Sequence, residues 1–181
     1  MKNLKDYIQE GILDNADIAV NRMDSDMNLI CPAPTKKDFF KNLFDGSTIL
    51  KWSCAEIIQS ILQKYPNVLG KYLRPDNITS LSIQITKEKG FKSLYVELWF
   101  GGKGSCCLNN IVSFSQYVDG LVPAKKLALE ILTHLANNHN ALEYVIKTES
   151  EILKKSNDEL VQSKIVSGIR TRDLTEILDI K

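Results

Sequence analysis

A chain of 181 residues, 44% apolar and 25% charged, is long enough for one domain with its own core and too apolar to stay disordered. Its net charge of +1 supplies no long-range field of either sign. The totals therefore argue against a general nucleic-acid binder, whose binding domain carries a basic excess, and no apolar run approaches the roughly 18 residues of a membrane span.

The first residues interleave Lys2, Lys5, Asp6 and Glu10 with apolar positions, unlike the continuous apolar core of a secretory signal. The expected location is the cytoplasm of the cell that makes the chain. Cys31, Cys54, Cys106 and Cys107 show no C-x-x-C spacing, and without an export signal all four are expected to be reduced thiols.

In chain order, Leu4, Tyr7, Ile8 and Ile12 fall at helical spacing and predict an amphipathic leader helix over residues 1–13. Residues 14–34 are rich in Asp and Asn and end in Cys31-Pro32-Ala33-Pro34. Each proline there pushes its predecessor toward extended geometry, so this stretch reads as a linker or irregular arm. Residues 35–181 form the expected single domain. Thr35 is a suitable N-cap for a helix carrying Phe39, Phe40, Leu43 and Phe44, ended by Asp45-Gly46. A second helix is expected from Ser53 to Lys64, with a shorter helical turn running through Leu73.

The period then changes. Leu81, Ile83 and Ile85 alternate with polar residues, as do Leu94, Val96, Leu98 and Phe100. A short Gly-containing turn joins the two runs, which predicts a β-hairpin. A third strand is expected over 105–117. From Val122-Pro123 the pattern is helical again, with a break at Asn137–Asn140, a second helix after it, and a last short helix carrying Leu174, Ile177 and Leu178. The expected fold is α+β: a three-stranded antiparallel meander packed by helices from both sequence sides.

Motifs for chemistry fail on inspection. Asp24-Ser25-Asp26-Met27-Asn28 begins like a calcium loop, but Leu29 and Thr35 stand where Gly and a bidentate Glu are required. Gly101-Gly102-Lys103-Gly104-Ser105 lacks the spacing of a phosphate loop and reads as a hairpin turn. His134 and His139 are five apart, which does not stack them on one helical face, and no further zinc ligands are spaced with them. Cys106 and Cys107 would point to opposite faces of a strand. No catalytic residue, metal ligand or cofactor site is expected, and an enzyme is the least supported class.

One surface carries binding chemistry. Tyr95, Trp99 and Tyr117 would share a sheet face beside Lys87, Lys89 and Lys92 of the hairpin turn, the combination that single-stranded nucleic acid requires. Packing beneath a helix accounts for the same aromatics, and the net charge makes a nucleic-acid partner the weaker reading.

The segment Met1-Lys2-Asn3-Leu4-Lys5-Asp6-Tyr7-Ile8-Gln9-Glu10-Gly11 resembles the capsid-targeting leader on internal head proteins of large tailed phages. Its continuation through Ile12-Leu13-Asp14 is similar to the starts of proteins from gut Bacteroidales phages and prophages. The resemblance implies that Leu4, Tyr7, Ile8 and Ile12 dock on a scaffold or capsid protein, as an apolar stripe docks in a groove. It also implies cleavage by a prohead protease between Glu10 and Gly11, with Ile8 two residues before the glutamate. On this expectation the chain is packaged in the virion interior and acts by protein–protein interaction, with a host protein as a further partner. The alternatives are a non-virion interaction protein and a single-stranded nucleic-acid module.

Overall fold

The computed structural model describes residues 31–42, 46–69, 73–87, 89–102, 108–160 and 173–181. The chain divides into two units, Met1–Pro32 and Ala33–Lys181, and the fold below is that of the second. The leader of residues 1–13, most of the 14–34 arm and the calcium-like segment lie outside the described residues, as do Lys103–Ser105, Cys106 and Cys107.

Five strands lie side by side in chain order, every neighbour antiparallel. They are β1 (Phe39–Lys41), β2 (Thr48–Trp52), β3 (Ile78–Lys87), β4 (Leu94–Gly102) and β5 (Leu108–Val118). The expected three-stranded meander is present as β3–β5, and β1 and β2 extend it. Among the described residues, three α-helices accompany the sheet: α1 (Ala55–Lys64), α2 (Leu121–Asn137) and α3 (His139–Leu160). The architecture is α+β.

Cross-strand register explains why the sheet has two unlike faces. Leu50, Ile83 and Leu98 are aligned across β2–β4, as are Trp52, Leu81 and Phe100, and Thr48, Ile85 and Val96. Every apolar member of that grid is at most 2% exposed. The stripe of α2, with Ala124, Ala128, Ile131, Leu132 and Leu135 all buried, packs across β2 to β5. Burying one such Leu or Ile side chain contributes about 1.5–3 kcal/mol. The opposite face carries Phe40, Ile49, Lys51, Ser82, Gln84, Tyr95, Glu97, Trp99, Ser115 and Tyr117, by the same alternation.

The stretch after Thr35 corrects an expectation. Thr35 does cap: its hydroxyl accepts from the Lys37 N–H and the Asp38 side chain answers from the third position, forming a capping box. The helix, however, is a single 3₁₀ turn, Lys36–Asp38, and Phe39–Lys41 then pairs with β2 instead of coiling on. A second correction concerns the thiols. Cys54, expected as a free thiol, is disulfide-bonded and buried.

The remaining helices follow the sequence closely. α1 buries Ile58, Ile61 and Leu62. α2 starts after Gly120, whose φ of 91° is a conformation that glycine adopts without a Cβ clash. Asn138 separates α2 from α3, and its side chain accepts from the Ala141 N–H at 3.1 Å. The core-facing stripe of α3 runs from Leu142, Val145 and Ile146 on to buried Glu149 and Ser150. Ser150 is tied to Asn67 twice: its hydroxyl donates to Asn67 Oδ1 at 2.5 Å, and its carbonyl accepts from Asn67 Nδ2 at 2.9 Å. At the chain end, Leu174–Asp179 forms a 3₁₀ helix capped by Asp173. His134 Nε2 holds that end through the Ile180 carbonyl at 2.9 Å.

Candidate functional site

The most distinctive surface lies where the β3–β4 turn meets β5. Tyr95 and Tyr117 are directly opposite partners on β4 and β5, so their rings meet at a centroid distance of 5.1 Å, tilted by 43°. Phe91, in the turn, stacks on the outer side of Tyr117 at 5.4 Å and 22°. The three rings make a continuous ladder in the order Phe91, Tyr117, Tyr95. Phe91 is 54% exposed and Tyr117 48%, values that place two large rings at the surface rather than in a core. The turn is built to hold them there. Gly90 takes a φ of 94°, and the Ser93 hydroxyl donates to the Asp119 carboxylate, tying the turn to the end of β5.

The expected site residues separate in the structure. Tyr95 and Trp99 share a face, but Glu97 stands between them, and four residues of strand span about 13 Å. Trp99 is half-buried, and its indole N–H is enclosed without a hydrogen-bond partner. It belongs to the covered part of the face, not to the ladder. Lys89 and Lys92 are exposed in the turn. Lys87 is also exposed, yet its register partner is Leu94, which places it on the face opposite Tyr95. The ladder therefore has a basic flank from the turn and an acidic residue, Glu97, on its inner side.

Phe91 is the member that sequence reasoning missed. It sits outside both alternating runs, and its only signal is a large aromatic three residues before a strand, next to a turn glycine.

A second concave region lies near the end of the chain, lined by Phe114, Tyr144, Glu176, Asp179, Ile180 and Lys181. It mixes two carboxylates, Glu176 and Asp179, with one lysine, Lys181. No helix among the described residues is long and apolar enough to cross a membrane.

Comparison with known proteins adds no constraint: no family model, no curated protein and no solved structure matches this chain.

Proposed function

We propose that the domain acts by binding, not catalysis, and that the ladder of Phe91, Tyr117 and Tyr95 is its contact surface for a single strand of nucleic acid. The observation that carries this reading is the exposure of two stacked rings, Phe91 in a turn braced to display it and Tyr117 beside it on β5. A cross-strand aromatic pair stabilises a hairpin by about 0.5–1.5 kcal/mol, which accounts for Tyr95 and Tyr117. It does not account for Phe91, which adds an exposed ring beyond the hairpin's need. Bases stack on such rings with little regard to sequence, at about 1–3 kcal/mol each, and Lys89 and Lys92 supply phosphate contacts.

The test is fluorescence anisotropy with a labelled oligothymidylate at low salt. Phe91→Ala and Tyr117→Ala should each weaken binding by about 5- to 150-fold, the range that 1–3 kcal/mol implies. Binding should also fall as salt rises. Trp99→Ala should alter stability and leave affinity within about twofold of the wild type, because the indole is enclosed rather than displayed. Absence of binding at low salt refutes the reading.

A second reading rests on Ile8, Glu10 and Gly11, residues outside the described part of the chain. It makes the chain an internal head protein of a phage, docked on scaffold or capsid through Leu4, Tyr7, Ile8 and Ile12 and freed by cleavage, with a host protein as later partner. Its support is the match to the leader pattern. Mass spectrometry of purified virions should then find a chain beginning at Gly11. An intact Met1 in a stable complex with another protein, outside virions, supports the non-virion interaction protein instead.

A further inference from the structure

We infer that the β1 edge of the sheet is a docking site for an acidic, extended segment of a partner protein, taken up as an added strand. β1 is the edge of the described sheet, paired there with β2 alone. The Asn42 N–H donates to the Ser47 carbonyl at 2.8 Å, which makes Asn42 and Ser47 a hydrogen-bonded pair. Antiparallel ladders alternate such pairs with open ones. Phe40 and Ile49 are then the next bonded pair, and the N–H and C=O groups of Phe39 and Lys41 point away from β2. Exposed edges of this kind are usually blunted by charge or a bulge. Lys41 blunts this one only partly, since Phe40 beside it is 46% exposed.

What lies beside the edge defines the occupant. A cleft of about 420 Å³ is lined by Lys36, Phe39, Val122, Lys125, Lys126 and Leu129. Phe39, Val122 and Leu129 make an apolar floor. Lys125 reaches over the Phe39 ring, 5.4 Å from its centroid. Among the described residues Lys126 pairs with Glu130, at 3.8 Å and with both side chains well exposed, and such a pair is weak. Asp38 is engaged in the Thr35 cap. Phe39 and Lys41 are two apart and share a face, the face on which the cleft lies. An added strand would present every second side chain to that face. One apolar side chain fits over Phe39, Val122 and Leu129, and acidic neighbours meet Lys36, Lys41, Lys125 and Lys126. Backbone pairing supplies affinity and the alternate pockets supply selection, the usual division in strand addition.

The test uses the full chain and a short fluorescein-labelled peptide alternating threonine with glutamate and leucine, read by anisotropy. Three comparisons decide it. The same peptide with lysine for glutamate should bind at least tenfold more weakly. The peptide N-methylated at alternate backbone amides should do the same, because it cannot pair with the edge. Val122→Asp, a change at a position 79% exposed that leaves the fold intact by circular dichroism, should also weaken the parent peptide at least tenfold, and Lys125→Glu with Lys126→Glu further still. Equal binding of the N-methylated or the lysine peptide overturns the proposal, as does no saturable binding up to millimolar peptide. Tighter saturable binding of octanoate than of the peptide overturns it too, marking the cleft as a small-molecule site. Phe91→Ala leaves this binding unchanged, so failure here is separable from failure of the nucleic-acid reading.

Discussion

Gly101 offers the sharpest test of the sheet that positions both surfaces. It pairs with Ser80 across β3 and β4, and a Cβ built on Gly101 would lie 2.3 Å from the Ser80 hydroxyl oxygen. That separation is far inside van der Waals contact. The next atoms, Ser80 Cβ and carbonyl oxygen, stand at 3.7 Å, an ordinary contact. The clash in Gly101→Ala is therefore with one atom. Ser80 is 2% exposed, so its hydroxyl has to turn into packed surroundings, and overpacking of this kind costs about 1–3 kcal/mol. For a chain of this size each kcal/mol moves Tm by about 2–4 °C, which gives a fall of about 2–12 °C in a circular-dichroism melt. Ser80→Ala removes the offending oxygen and should cost little alone. In that background Gly101→Ala should be nearly neutral, so a double-mutant cycle should return a coupling of about 1–3 kcal/mol. An equal cost of Gly101→Ala with and without the Ser80 hydroxyl would refute the register between β3 and β4.

Other outcomes follow from single contacts. Asn67→Ala strips both partners from buried Ser150 and should cost about 1–3 kcal/mol in urea unfolding, whereas Lys64→Met, which removes the exposed 3.1 Å pair with Glu143, should change stability by less than about 1 kcal/mol. Trp52→Phe removes an enclosed indole N–H that has no hydrogen-bond partner; the relief should offset part of the lost volume, so the loss should stay well below the roughly 3–5 kcal/mol of a large aromatic truncation to alanine. Cys54 should resist iodoacetamide in denaturant until a reductant is added, as peptide mapping would show, and its labelling before reduction would contradict its disulfide-bonded state. His134→Ala should raise amide exchange across 174–180 with little change elsewhere, because its hydrogen bond to Ile180 is lost.

How far the sequence revealed this molecule depends on where each signal originates. The β3–β4 hairpin was legible because its apolar face is buried and its other face is mixed, so burial prints a period of two on the sequence. α1, α2 and the start of α3 were legible for the corresponding reason at the helical period. β1 was not, because Phe39, Phe40, Leu43 and Phe44 fit helical spacing as well as a strand start, and what decides the matter is pairing with β2, a contact the local sequence does not encode. β2 itself is buried at four of its five positions, so it carries no alternation to read.

The ladder shows the same division at the level of function. Alternation put Tyr95, Trp99 and Tyr117 on one face, correctly as far as register goes. Register alone does not tell a ring under cover from a ring on display, and Trp99 and Tyr117 end on opposite sides of that distinction. The difference comes from position along the strands. Tyr117 stands at the turn end, beside the exposed ring of Phe91, while Trp99 sits on the far side of Glu97, in the covered part of the face. A surface of this kind is therefore assembled by two independent choices, the parity of a residue and its distance from the hairpin tip. Only the first is written in local sequence. The second is fixed by the length of β4 and by the Ser93–Asp119 tie, and for that reason substitutions at the tip should alter binding without altering the fold.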